Sequence, residues 1–204
     1  AITDHSEYLK VANGLTVERL KQQHEYIRRL NEKYDDITIL TGIEMDILPD
    51  GTLDYDDEIL KEIDVVIASI HSAFQQDRAT IMKRLRAALE NEHVDIIAHP
   101  TGRLLGKRDG YDVDVELLIK WAKETNTALE LNSNPFRLDL SAAALKLADE
   151  FGVPIAINTD AHRRDHLSYM SYGTATARRA MLPSHTVMNT WPLKQLFSFL
   201  NRHQ

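Results

Sequence analysis

The sequence predicts an α/β fold built around a parallel β-sheet. Short, β-branched and almost continuously apolar runs recur along the chain, and longer segments with the apolar spacing of helices separate them. Parallel strands have such continuous apolar runs because helices cover both faces of their sheet. The alternation of strands and helices is typical of βαβ units. A chain of 204 residues can bury its own core, and we expect residues 1–204 to form a single domain.

Five apolar runs are predicted strands, namely residues 37–44, 65–71, 94–99, 128–132 and 154–160. Each is short and rich in valine, isoleucine and leucine, as expected for a strand buried on both faces. The first residues, Ala1, Ile2 and Thr3, have the character of the end of another strand. We therefore expect that the chain begins inside a larger polypeptide.

Five helices are predicted from apolar spacing, over residues 16–34, 77–90, 113–125, 142–151 and 192–201. The first begins at Thr16, whose hydroxyl group suits an N-cap. Gly152 and Pro154 end the fourth, because glycine closes helices and proline cannot continue them. The charge-rich residues 46–62 predict an irregular connection.

The composition excludes several classes of protein and of site. Cysteine is absent, so disulfides, thiolate metal sites and cysteine nucleophiles are excluded, and any metal must have nitrogen and oxygen ligands. No apolar run is long enough to predict a membrane span. The net charge of −7 disfavours broad non-specific binding of nucleic acid. There is no phosphate-binding glycine motif and no basic stripe interleaved with aromatic residues.

Polar side chains end the predicted strands. In chain order they are Asp4, His5, Glu44, His71, His99, Asn132, Asn134, Asp160 and His162. The carboxyl ends of the strands of a β/α barrel converge on one face, where such enzymes hold their catalytic residues. A mixed set of histidine and carboxylate ligands suits Zn²⁺, Mn²⁺ or Fe²⁺, and several close cations would favour hydrolysis of a phosphate ester.

Each of these residues has an alternative interpretation. A single histidine at a strand end is more often a core or capping residue than a ligand, and Asp160 alone would suit a helix cap. Four histidines and two acids on one rim are harder to explain by packing, because buried charges need partners. His24, in a charged helix, is expected to be solvated, and His93, His185 and His203 are not expected to be ligands. His166 follows closely after His162 and is the less favoured candidate.

Basic and amide side chains follow the predicted strand ends. Arg103 and Arg108 come shortly after His99, and Arg137 follows Asn134. Guanidinium groups on the same rim as a metal site suit phosphate oxygens, and the amide group of Asn134 can also form hydrogen bonds. The candidate substrate-binding residues are therefore Arg103, Arg108, Asn134 and Arg137. The alternative is an ordinary solvated loop.

The ordered motifs resemble those of the PHP (polymerase and histidinol phosphatase) superfamily. They are Ile2-Thr-Asp-His5, Gly42-Ile-Glu44, Ser69-Ile-His71, Ile97-Ala-His-Pro100 and Asn158-Thr-Asp-Ala-His162. The stretches at 99–106 and 129–139 are similar to the C-terminal PHP domain of bacterial family X DNA polymerases. The resemblance covers essentially the whole chain.

This resemblance implies a distorted (β/α)7 barrel with a centre of up to three Mn²⁺ or Zn²⁺ ions. Its implied ligands are His5, Glu44, His71, His99, Asp160 and His162. Glu44 would bridge two metals, sharing one with His71 and His99 and another with Asp160, while His5 and His162 would contribute to a third. Glu44, His99 and Asp160 are the residues expected to carry catalysis. The implied activity is manganese-dependent 3′–5′ exonuclease or related DNA 3′-end hydrolysis.

The sequence departs from the family pattern at its start, because no H-x-H strand precedes Ala1. Two of the implied metal sites therefore lack ligands, so we expect an N-terminally truncated barrel with fewer bound metals and weak or absent activity. Self-association through the exposed barrel edge is a further expectation. The implied partners are a DNA 3′ end and the polymerase domain of the same polypeptide, in the cytoplasm. The alternatives are a small-molecule phosphomonoesterase of the histidinol-phosphatase type and a non-catalytic structural module.

Overall fold

The computed structural model describes residues 1–202, so the prediction for His203 lies outside its range. Five strands form one parallel sheet in the order of the sequence. They are β1 (Gly42–Asp46), β2 (Val65–Ser69), β3 (Ile96–Ile97), β4 (Ala128–Asn132) and β5 (Ile155–Asn158). Gly42 lies opposite Val65 in the register of the first pair, and Asn132 lies opposite Asn158 in that of the last. The predicted α/β class and parallel sheet are confirmed.

Seven α-helices lie within residues 1–202, and those between the strands make the crossover connections. They are α1 (Val17–Lys33), α2 (Asp57–Leu60), α3 (Arg78–Glu90), α4 (Val115–Glu124), α5 (Ala142–Phe151), α6 (Met170–Arg179) and α7 (Leu193–Leu200). Short 3₁₀ turns span Lys10–Ala12, Arg164–Tyr169, Ser184–Thr186 and Met188–Thr190. The segment expected to be irregular contains α2, and α6 was not predicted.

Side-chain caps explain where the longer helices begin. Thr16, Asp77, Asp114 and Ser141 each accept a hydrogen bond from the backbone N–H three residues further on. Such caps satisfy one of the free N–H groups of the first turn and stabilise a helix by about 1 kcal/mol. Gly152 ends α5 with a left-handed backbone, at a φ of 67°.

Isolated bridges extend the sheet at both edges. Ile2 pairs in parallel with Thr41, and His5 with Glu44, beside β1. At the other edge Val187 pairs in parallel with Ile155 of β5. The first of these edges places the N-terminal residues beside the end of β1, so that His5 lies next to Glu44.

Apolar side chains cover both faces of the sheet. Ile43 and Met45 pack outward against the helices, while Val65 and Ile67 belong to a second cluster on the inner face. This double burial explains why the strands are apolar throughout. The inner cluster borders a cavity of about 600 Å³, whose lining also includes polar residues at the strand ends. Within residues 1–202, none of the helices has the length and apolar character needed to cross a membrane.

The prediction that His24 is solvated is wrong. Its side chain is only 3% exposed, and its Nε2 lies 3.4 Å from the carbonyl oxygen of Gly42. Leu20, His24 and Ile27 form the buried stripe of α1. Spacings of four and three residues place all three on one helix face, and this outweighs the charged neighbours of His24 in the sequence.

Candidate metal centre

The candidate site lies at the carboxyl ends of the strands. Glu44 is the middle residue of β1, while His71, His99 and Asp160 each follow the last residue of a strand by two positions. His5 reaches the same place through its bridge to Glu44. Residues that are far apart in sequence therefore meet on one rim, as the parallel sheet requires.

Glu44 is at the centre of three imidazole rings. Its Oε1 lies 3.0 Å from Nε2 of His99 and 3.3 Å from Nε2 of His71, and its Oε2 lies 3.2 Å from Nδ1 of His5. Potential ligand atoms of His5, Glu44 and His71 all lie within 4.8 Å of one another. Such spacing allows these groups to share one small cation.

Asp160 and His162 form the second part of the cluster. Oδ2 of Asp160 accepts a hydrogen bond from Asn132 Nδ2 at 3.1 Å and lies 3.3 Å from Arg137 Nε. Nδ1 of His162 lies 3.6 Å from Asp160 Oδ1, and its ring centroid is 5.9 Å from that of His5. The structure thus brings all six predicted ligands into one continuous cluster, with the His162 side chain 60% exposed at its edge.

The charges of this cluster are strongly coupled. Burial opposes ionisation of Glu44, but hydrogen bonds from His71 and His99 hold its pKa well below the usual range. Burial also opposes protonation of His71, whereas its hydrogen bonds to Asp46 and Glu44 raise its pKa to about 9. Burial lowers the pKa of His5. In the absence of metal, one imidazole therefore carries a proton that balances the carboxylate, and a divalent cation would replace that proton.

Two buried carboxylates orient the histidines. Asp46 Oδ1 lies 3.2 Å from Nδ1 of His71, which leaves Nε2 of that ring facing Glu44. Glu130 accepts a hydrogen bond from the backbone N–H of His99 at 2.7 Å, and burial raises its pKa to about 7. Sequence reasoning missed both residues. A glutamate in the middle of the apolar strand 128–132 is the signal that identifies Glu130, because a buried charge is costly unless other groups pair with it.

The backbone at the cluster is strained. His99 has a φ of 28° and Asp160 a φ of 51°, in the left-handed region that residues other than glycine rarely adopt. Such conformations persist only where surrounding contacts impose them, and they concentrate at functional sites. The strain at two predicted ligands fits a site that positions side chains at the expense of stability.

The candidate substrate-binding residues are placed differently from one another. Arg137 contacts the cluster through Asp160. Arg103 donates from Nε to the carbonyl oxygen of Arg137 at 2.9 Å and from Nη2 to that of Leu138. Arg108 donates to the carbonyl oxygen of Gly102. Asn134 accepts a hydrogen bond from a backbone N–H of its own loop.

His166, the less favoured candidate, lies beside the cluster. Its Nδ1 lies 3.3 Å from the backbone nitrogen of His162, and its Nε2 lies 3.3 Å from Nε of Arg163. With both ring nitrogens in these contacts, His166 supports the loop that carries His162.

Comparison with known proteins finds close relatives, although no family model matches the chain. The chain is 58% identical over 203 residues to the DNA polymerase/3′-5′ exonuclease PolX of Bacillus subtilis, in an alignment that covers 100% of this chain and 36% of that protein. The chain thus spans about a third of the length of this relative. It is also 30% identical over 174 residues to a protein of Thermoanaerobacter sp. named "probable phosphatase", covering 80% of this chain and 69% of that protein.

Two further comparisons also cover most of the chain. A "probable phosphatase" of Shewanella amazonensis is 30% identical over 188 residues, covering 87% of this chain and 72% of that protein. A chain in the cryo-EM structure of archaeal ribonuclease P with mature tRNA has a TM-score of 0.51 at 20% identity, covering 93% of this chain and 79% of that one. At this level of identity, the second comparison indicates a similar fold alone.

Proposed function

Because this chain belongs to the PHP superfamily, in the branch of the bacterial family X DNA polymerases, we propose that it is a metal-dependent phosphoesterase acting on DNA 3′ ends. The observation that carries this proposal is the placement of the Glu44 carboxylate within 3.3 Å of a nitrogen of each of His5, His71 and His99. The relatives named exonuclease and phosphatase are both hydrolases of phosphate esters, which supports the same reaction class.

The residues present fit divalent ions. Their donors are nitrogen and oxygen only, as Mn²⁺ and Zn²⁺ accept. Nδ1 of His5 lies 3.2 Å from Glu44 Oε2, yet it makes no well-directed hydrogen bond within the described residues, so this nitrogen is available as a metal ligand. We propose that Glu44, His71 and His99 hold one metal and that Glu44 and Asp160 contribute to a second. His5 and His162 would contribute to a third.

The side chains around the cluster would bind and orient the substrate. When bound, divalent ions would supply an activated water nucleophile and neutralise charge on the phosphate. The guanidinium group of Arg137 is only 16% exposed and faces Asp160, so its remaining N–H groups can bind a phosphate oxygen. Asp46 and Glu130 would fix His71 and the His99 backbone, which keeps the ligand nitrogens directed at the centre.

The choice of DNA rests on the Bacillus relative, whose printed name includes a 3′-5′ exonuclease. A small-molecule phosphomonoesterase is the second candidate, favoured by the relatives named "probable phosphatase" and by the net charge of −7. The third candidate is a non-catalytic module that supports a polymerase. The extent and identity of the match to the polymerase relative favour the first.

We further propose that the sheet is part of a closed (β/α)7 barrel. Parallel bridges continue it at both edges, and the cavity between these edges is lined from both sides, by Ile2 and by Met188. In this proposal the domain works in the cytoplasm beside a polymerase domain of the same polypeptide. Self-association through a sheet edge remains a proposal that size-exclusion chromatography tests.

Two substrates separate the three functions. The chain with added Mn²⁺ or Zn²⁺ is offered a 3′-labelled single-stranded oligonucleotide and, separately, p-nitrophenyl phosphate, with chelator and Glu44→Gln as controls. Metal-dependent release of the label with the 3′-terminal nucleotide supports the proposed activity. Hydrolysis of p-nitrophenyl phosphate alone favours the phosphomonoesterase. Metal binding without hydrolysis of either substrate favours the structural module.

A further inference from the structure

Phe136 exposes its aromatic ring in the loop that carries Arg137, at the carboxyl end of the sheet. The side chain is 52% exposed, in the turn that follows β4. Its sequence neighbour Arg137 lies with Nε 3.3 Å from Oδ2 of Asp160. Consecutive Cα atoms are about 3.8 Å apart, so the ring is attached within a few ångströms of a residue that contacts the cluster.

The backbone that carries this exposed ring is firmly held. Asn134 Oδ1 accepts a hydrogen bond from the Phe136 N–H at 3.0 Å, and the Phe136 carbonyl oxygen accepts one from Leu105 N–H at 2.6 Å. Arg103 donates to the carbonyl oxygen of Arg137 at 2.9 Å. None of these bonds uses the phenyl ring. The loop therefore fixes the backbone of Phe136 while its apolar side chain remains exposed to water. Packing within the chain does not explain this exposure.

A positive charge accompanies the ring. Nζ of Lys107 lies 4.9 Å from the ring centroid, and Lys107 is itself exposed. Arg163 and Arg164, which follow Asp160 and His162, are also exposed. In a chain of net charge −7, an aromatic ring and the ammonium group of Lys107 thus lie together, in the loops that follow β3 and β4 at the carboxyl end of the sheet. This combination complements a planar base attached to an anionic backbone.

We propose that Phe136 is a stacking platform for a nucleobase of a single-stranded DNA segment whose 3′ end enters the metal centre, with Lys107 on its phosphate backbone. The choice of DNA rests on the proposed function, whereas the position of the platform rests on the exposure and bracing of Phe136. Stacking on an aromatic ring tolerates any base, so this contact would give affinity without sequence preference. Arg103 would act as a positioning residue, because its hydrogen bonds hold the loop and do not reach the ring.

A fluorescent base tests the platform directly. The probe is a short single-stranded oligonucleotide with phosphorothioate 3′ linkages and 2-aminopurine near its 3′ end, titrated with the wild-type chain and with variants of Phe136. Phe136→Ala should weaken binding about 10-fold or more and abolish the quenching of 2-aminopurine that stacking causes. Phe136→Tyr should retain both, whereas Phe136→Leu should lose the quenching. Tyr26→Ala is the matched control, because Tyr26 is 57% exposed on α1.

A second probe removes the base and leaves the backbone. With abasic residues at the 3′ end, the wild-type chain and Phe136→Ala should bind equally. Equal binding of the base-containing probe by both proteins would overturn the platform alone. The platform would also be overturned if Phe136→Ala weakened binding of the abasic probe as much as it weakens binding of the base-containing probe. A wild-type chain that hydrolyses p-nitrophenyl phosphate but binds neither oligonucleotide would overturn the DNA substrate and the platform with it.

Discussion

At the amino end of the sheet a buried carboxylate is paired with a guanidinium group, whereas at the carboxyl end a buried carboxylate is surrounded by imidazoles. Asp95, just before β3, accepts hydrogen bonds from Arg202 Nη1 at 2.7 Å and from the Val66 N–H at 2.9 Å. Arg202 Nη2 donates in turn to the Val94 carbonyl oxygen at 2.8 Å. Asp95 and Arg202 are thus permanent partners of each other within the chain.

Glu44, at the other end, lacks a permanent cation. Its neighbours are histidines, which are neutral unless a proton is added, and the raised pKa of His71 reflects that need. A buried carboxylate requires a neighbouring positive charge. A protonated imidazole provides that charge only until a metal ion replaces its proton. The contrast teaches that burial of a charge does not by itself mark a site. The identity of its partners separates a structural ion pair from a ligand centre.

The largest expected effect comes from removing the central carboxylate. Glu44→Gln should lower metal-dependent hydrolysis by more than about 1000-fold, because it weakens the proposed sharing of ions and the charge that holds them. It should also lose more metal than any single histidine variant. Elemental analysis and hydrolysis rates measure both, with the exposed Glu116→Gln as the matched control. Comparable metal content in the two variants would contradict the bridging role.

The amino-end pair should respond in stability and leave metal binding unchanged. Arg202→Ala strands a buried carboxylate, so the free energy of unfolding should fall by about 3 kcal/mol at pH 8. Metal content per folded chain should not change. Chemical denaturation and elemental analysis of the same preparations measure these quantities. A loss of metal in Arg202→Ala would show that the two ends are coupled and would break the comparison.

This stability loss should depend on pH. Burial raises the pKa of Asp95 to about 6 even beside Arg202, above its ordinary value of 3.8. A folded-state pKa above the unfolded value contributes stability that is complete at low pH and is lost as the pH rises through the folded value. Without Arg202 the protonated form is favoured further, so the destabilisation should be smaller at pH 5 than at pH 8. An equal loss at both pH values would contradict this assignment.

An intermediate effect is expected from Asp46, whose carboxylate contacts the predicted ligand His71. Asp46→Asn should weaken metal affinity about 10- to 100-fold, since it loosens the orientation of His71. Titration with Mn²⁺ or Zn²⁺ measures this change, and circular dichroism checks that the fold is retained. Unchanged affinity in a folded Asp46→Asn chain would remove Asp46 from the metal centre.

The smallest of these effects is expected from Arg137, at the edge of the centre. Arg137→Ala should raise the KM for the oligonucleotide about 10-fold, because a charge-assisted contact to phosphate is lost. Metal content should remain that of the wild type. Arg178→Ala, on the exposed surface of α6, controls for a general loss of positive charge. A parallel loss of metal would mean that Arg137 holds Asp160 in place and does not bind substrate.

Apolar patterns predicted much of the fold, and their failures have physical causes. β4 and α5 begin and end where the pattern places them. β1 begins later than predicted. The N–H of Ile39 donates to the Asn31 side chain and that of Thr41 to the Asp64 side chain, so Thr41 contributes only an isolated bridge, to Ile2. Helix α6 was missed because it packs through small residues such as Gly173, where an added Cβ would lie 2.1 Å from Ser133 Oγ.

The candidate site was predictable in its ligand types and less so in its supports. Strand-end positions were sufficient to nominate Glu44, His71 and His99, because parallel strands bring their ends together. Asp46 and Glu130 contact other side chains or the backbone. Residues with such a role do not recur at the strand-end positions that identified the ligands. The bracing of the Phe136 turn by Arg103 was invisible for the same reason, since it runs between loops that lie far apart along the chain.

Anomalous scattering from a crystal of the chain grown with Mn²⁺ tests the central claim most directly. The account predicts a peak within about 2.3 Å of Glu44 Oε1 and of the Nε2 atoms of His71 and His99. It predicts no peak at the Asp95–Arg202 pair. A map with no peak at Glu44, or with metal bound only at exposed surface carboxylates, would contradict the assignment of this cluster as a metal centre.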